Sequence, residues 1–164
     1  MVNSGLEHNM KTPTKQRKSS NSKYHPRRQA RECVFQGLYS LEISGDSRDK
    51  IFEDMLNRYS FDENTKSFVS SLYIKTLDQK QFLKKTISKF LENWELERIA
   101  LIDNLILQMA ACELLFFDDV PPKVSISEAI EIAKKYSTDD SSGFVNGILD
   151  TVFREMVKKN VESQ

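Results

Sequence analysis

Apolar residues recur at helical spacing through most of this chain. Ala30, Cys33, Val34, Gly37, Leu38 and Leu41 fall three and four apart, on one face, and predict a first helix over about 27–43 that "SGDS" ends. Ile51, Phe52, Met55, Leu56 and Tyr59 mark a shorter second helix. "FDENTKS" restarts the chain, and Phe68, Leu72, Leu77, Phe82, Ile87 and Phe90 carry a long helical stretch, broken at most once, to about Leu91. "ELERIALIDNLILQMAACELLFF", residues 95–117, is apolar on more than half its circumference, which suits a central strut buried on several sides. Pro121 and Pro122 cannot continue that helix. Ser125 and Glu128 have capping-box spacing at the start of "SISEAIEIAKKYS", with Ser127 as the other candidate cap. Thr138 or Asp140 then caps a last helix whose apolar positions are Phe144, Val145, Ile148, Leu149, Val152, Phe153 and Met156. "NG" at 146–147 is a hairpin signal, but its surroundings repeat at 3.6 rather than 2. No alternating strand pattern of useful length remains, so the fold class is all-α.

Composition divides the chain. Residues 1–24 are rich in Ser, Thr, Asn and Lys and nearly free of large apolar side chains, the signature of disorder. The organisation expected is a disordered basic extension over 1–26 and one helical domain over 27–164, long enough to bury about two-thirds of its unfolded surface. Residues 1–31 hold eight Lys and Arg against the single acid Glu7, a net of +7; the whole chain is neutral, so residues 32–164 carry −7. A basic arm is thus joined to an acidic body. The five lysines between 75 and 89 read as a solvated face, with an RNA contact surface as the second reading.

Little catalytic chemistry is on offer. His8 and His25 both lie in or beside the basic arm, leaving the body without an imidazole to activate a Ser or Cys nucleophile. The five glycines of the chain are scattered singly, so no loop cradles phosphate. Asp118 with Asp119, and Asp139 with Asp140, abut helix boundaries, where capping and turn formation account for them better than a metal does. Cys33 and Cys112 are embedded in apolar helical patterns and suggest neither a disulfide framework nor a zinc site; a reducing, cytoplasmic setting fits. Neither a signal-peptide stretch nor a run of about 18 apolar residues occurs, so membrane insertion is not expected. The reading is a binding protein without cofactors, not an enzyme.

Arg27, Arg28 and Arg31 open the first helix, where unpaired backbone N–H groups and the helix dipole already attract phosphate. Cations at that end are disfavoured by the dipole, so local stability does not explain them. Guanidinium forks bind phosphate in bidentate fashion and stack on bases. Nucleic acid is the ligand this end suits; the alternative is a basic arm that merely solubilises.

Three stretches, "RRQARECVFQGLYS", "ERIALIDNLILQMAACELLFFDDVPPKVSISEAIEIAKKY" and "DSSGFVNGILD", resemble the signatures of the NusB family of bacterial transcription antitermination factors, in that family's order and at about its spacing, over roughly residues 27–158. The resemblance implies two packed three-helix bundles. It implies binding of single-stranded boxA RNA in ribosomal RNA transcripts jointly with NusE, a ribosomal protein, in a larger complex with NusA, NusG and RNA polymerase that suppresses premature termination. On this resemblance the RNA-binding residues are Arg27, Arg28, Arg31, Tyr39, Asp140 and Phe144, and Glu128 lies where RNA or NusE is met. For Tyr39 and Phe144 core packing fits the apolar stripes equally well, and burial decides between the two.

Two features depart from the family pattern: the 26-residue front extension, and Gly143, where many relatives carry a basic residue. The length is also too short for an rRNA methyltransferase bearing such a domain ahead of a catalytic one. The rival functions are a helical protein-interaction module and a ribosome-biogenesis RNA-binding factor without an antitermination role.

Overall fold

The computed structural model describes residues 25–92 and 95–163. The disordered extension expected over residues 1–26 lies outside this range except for His25 and Pro26. Every regular element among the described residues is helical: α1 (Pro26–Ser44), α2 (Arg48–Arg58), α3 (Glu63–Asp78), α4 (Lys80–Lys89), a 3₁₀ turn (Leu96–Arg98), α5 (Leu101–Phe116), α6 (Pro122–Tyr136) and α7 (Ser141–Val152), which runs through a π turn (Phe153–Val157) into a short α8 (Lys158–Glu162).

Local chemistry sets most of these ends. Pro26 occupies the first turn of α1, where a missing N–H costs nothing, and Gly45 closes the helix with a left-handed φ of 71°. Ser47 caps α2 by accepting from the Lys50 N–H at 3.2 Å. Asp62 caps α3 by accepting from the Thr65 N–H at 2.7 Å, a bond that holds its carboxyl below the usual carboxylate range. The long stretch expected to Leu91 breaks once, at Gln79, between α3 and α4.

Two expectations need correction. The strut expected over 95–117 is helical only from Leu101; before it, Leu96 reaches the core from a separate 3₁₀ turn, and Ile99 and Ala100 are extended. Helical periodicity registers which side chains are buried, and Leu96 is buried either way. Nor does Ser125 or Ser127 cap α6. That helix starts at Pro122, a residue pre-set for the first helical position, and puts Ser125 one turn inside.

Packing follows the apolar stripes. α1, α2 and α3 contact one another as a first bundle, and α5, α6 and α7 as a second; α4 packs on α5 and α7. α5 belongs to both halves, touching α1 and α3 as well as α6 and α7, and eleven of its sixteen residues are buried. At Gly37 α1 comes so close to α2 that an added Cβ would overlap the Met55 sulfur, and the Met55 side chain would have to move to admit one. Cys33 and Cys112 are free thiols inside this core, each pushed up to about 11 by burial. No helix among the described residues is long and apolar enough to cross a membrane.

Candidate nucleic-acid interface

The three arginines leave the first turns of α1 in different directions. Arg27 and Arg31 are four residues apart and share a face; Arg28 points round the helix toward α6. The Arg27 guanidinium lies 4.5 Å over the Phe68 ring and reaches Asp119 only at 3.4 Å. Arg28 is held more firmly: its Nε and Nη2 each donate at 2.9 Å to the two oxygens of Glu128. The Arg28 side chain is 38% exposed and that of Glu128 13%, so the pair presents its guanidinium edge to solvent and hides its carboxylate.

Arg31 is different. It is 3% exposed, donates at 2.7 and 2.8 Å to Glu113 of α5, and lies 5.2 Å from the Phe68 ring centre. Ser125 adds a third donor, its hydroxyl 2.8 Å from Glu113 Oε1. The expectation that Arg31 meets RNA directly is therefore corrected. A buried guanidinium whose N–H groups already serve a buried carboxylate cannot reach a phosphate without unmaking the core. Its place is structural: it ties the start of α1 to α5 and α6 and so positions Arg27 and Arg28. The sequence held a signal for this. Glu113 is an acid flanked by apolar residues in a buried helix, and such a carboxylate requires buried hydrogen-bonding or ionic partners.

Glu128 engages Arg28, which orients that guanidinium and leaves the carboxylate largely covered. Further along α1, Glu32 accepts from Lys135 Nζ at 2.7 Å and from the Tyr136 hydroxyl at 3.1 Å, and Gln36 donates to the same hydroxyl at 2.9 Å. α1 and α6 thus run side by side and parallel, linked along their lengths.

The remaining expected residues sit at the far end of α6. Asp140 is exposed at the N-cap position of α7 but makes no capping hydrogen bond. The turn before α7 is organised instead by buried Asp103, which accepts from Ser137 at 2.6 Å and from Ser141 at 2.9 Å. Asp103 also went unread in the sequence, although an acid inside "LIDNLIL" has the same meaning as Glu113. Phe144 is half-buried against the core. Tyr39 is half-buried too, its ring 6.5 Å from that of Phe35, and lines a recess of about 350 Å³ with Gln36, Arg58 and Tyr136. Both aromatics therefore combine core packing with an accessible edge. Ser137 follows Glu128 by nine positions, which sets the arginine end and the Asp140 end roughly 14 Å apart along α6. Gly143, in the first turn of α7, is exposed with open space around it.

Comparisons with known proteins show the family and the fold. The sequence profile of the NusB family matches residues 28–154. The transcription antitermination protein NusB of Chloroherpeton thalassium is 44% identical over 136 residues, which span 82% of this chain and 64% of that protein. Among solved structures, NusB of T. maritima superposes with a TM-score of 0.77 at 36% identity, covering 85% of this chain and 98% of that one. A NusB chain from a complex of antitermination factors NusB and NusE with double-stranded RNA shares the fold, with a TM-score of 0.72 at 20% identity over 80% of this chain. Arg28, Arg31 and the buried tie to Glu113 fall within the matched stretch, and the chain belongs to the NusB family.

Proposed function

We propose that this protein is a transcription antitermination factor that binds boxA RNA together with NusE, without catalysing a reaction. The observation that carries the reading is the start of α1. There two partly exposed guanidinium groups, Arg27 and Arg28, stand at the surface, and a third, Arg31, is buried as an anchor. A solubilising arm needs no such anchor, whereas phosphate recognition needs guanidinium groups held at fixed positions. Family membership supports this choice of ligand and partner. NusA, NusG and RNA polymerase complete the assembly in this proposal, and its setting is the cytoplasm, where free buried thiols persist.

A transcription reaction tests this. With RNA polymerase, NusE, NusA and NusG present, adding the protein should raise read-through of a terminator downstream of boxA and leave read-through unchanged when boxA is scrambled. Equal read-through on both templates would contradict the proposal.

Asp140 refines it. The carboxylate makes no cap hydrogen bond, so Asp140→Asn should leave stability within about 0.5 kcal/mol. If RNA runs from the arginine end along α6 to α7, that exposed charge opposes its phosphates, and Asp140→Asn should tighten binding several-fold at low salt and less at high salt. Titration of labelled RNA at two salt concentrations reads this out. Weaker binding would mean that the carboxylate instead accepts a hydrogen bond from a base or a 2′-hydroxyl.

A further inference from the structure

On the side away from α6, the arginine end opens into a trough between α3 and α5. Its first part is lined by Arg27, Asn64, Phe68, Phe117 and Asp119. The next, about 540 Å³, is lined by Ser70, Ser71, Ile74, Lys75, Phe116 and Phe117, and the two parts share Ser71 and Phe117. Aromatic rings mark the whole path. Phe68, under the Arg27 guanidinium, meets Phe117 edge to face with centroids 5.9 Å apart; Phe116 and Phe82 meet at 6.0 Å. The far end is unusually open for large apolar side chains, with Phe82 42% and Phe116 36% exposed. Cations rim it. Lys75 Nζ stands 4.7 Å from the Phe116 ring centre, and exposed Lys85 and Lys89 follow Phe82 on the same face of α4.

We propose that this trough is a second single-stranded RNA subsite, which takes nucleotides flanking the element bound at the arginine end. Bases stack on Phe116 and Phe82, and Lys75, Lys85 and Lys89 meet the phosphates. The inference rests on the RNA-binding reading of Arg27 and Arg28. Exposed aromatics interleaved with lysines are what sequence-tolerant binding of single strands requires, because every base has a π face. Other occupants fit less well. Residues 1–24 carry the same sign of charge as the rim and few apolar side chains to bury. A second copy packed about a two-fold axis would set the same lysines against one another. An acidic protein segment would suit the charge, but continuity with Arg27 favours an RNA strand bound at that end.

The test compares a boxA-length RNA with the same RNA carrying single-stranded uridines added at the 5′ or, separately, the 3′ end. One extension should tighten binding about tenfold. In the double variant Phe82→Leu with Phe116→Leu, which keeps apolar bulk and removes stacking, that gain should vanish while affinity for the short RNA and helical content by circular dichroism stay as in the native protein. Lys75→Gln should lower the log–log salt slope by about 0.7 for the extended RNA and not for the short one. No gain from either extension, or a gain that survives the leucine substitutions, overturns the subsite and leaves the arginine site standing. A short RNA bound no better than its scrambled counterpart overturns both.

Discussion

Replacing Arg31 with methionine should destabilise the protein by about 3–5 kcal/mol, the cost of stranding one partner of a buried ion pair. Glu113, 2% exposed, would keep only the Ser125 hydroxyl. Chemical denaturation monitored by circular dichroism measures this. Removing the carboxylate as well, in Arg31→Met with Glu113→Leu, should restore most of the loss, because a well-packed apolar pair does about as well as a buried salt bridge. The rescued double variant is informative in a second way. Arg31 makes no direct RNA contact in this account, so a folded double variant should bind RNA nearly as tightly as the native protein. A loss of stability below about 1 kcal/mol in the single variant would show that the guanidinium is not anchored as described.

The second large effect falls on binding. Arg27→Ala with Arg28→Ala should weaken RNA affinity on the order of tenfold or more at 0.1 M salt and lower the log–log salt slope by roughly 1.4, about 0.7 for each lost phosphate contact on a single strand. Stability should hardly change. Arg27 holds Asp119 only at 3.4 Å, and the Arg28–Glu128 pair, although bidentate, has a solvent-exposed guanidinium, so screening keeps its contribution to about 1 kcal/mol or less. Unmasking Glu128 adds a complication, since its carboxylate would then repel RNA by itself. Adding Glu128→Gln to the double variant separates the two: the salt slope should stay low and affinity recover only in part. An unchanged slope in the double variant would return these arginines to a solubilising role.

What the sequence made legible was largely periodicity. The stripes through Val34 and Leu38, Phe68 and Leu72, and Val145 and Leu149 predict helices that bury those residues, and the structure buries all six. Helix ends were less legible where two local signals competed. Ser125 and Glu128 have capping-box spacing, but Pro122 starts the helix earlier, which frees Ser125 to donate to Glu113 and Glu128 to hold Arg28, 100 residues away. The same non-local pairing hid the division of labour among the arginines. Charge treats Arg27, Arg28 and Arg31 alike, but Arg31 lies in register with Val34 and Leu38, three and seven residues on, and so faces the core. The trough between α3 and α5 was invisible for a related reason. Lys75 and Phe82 belong to one stretch of sequence, while Phe116 and Phe117 come from another, and only the packing of α3 and α4 on α5 joins them.

Selective RNA recognition is the central claim, and one titration tests it most directly. The protein is titrated into labelled boxA RNA and into a scrambled RNA of the same length and composition, each with and without NusE, at moderate salt. The account predicts tighter binding to boxA than to the scrambled strand, with the difference widened by NusE. Equal affinity for the two strands, with NusE as well as without it, would contradict it.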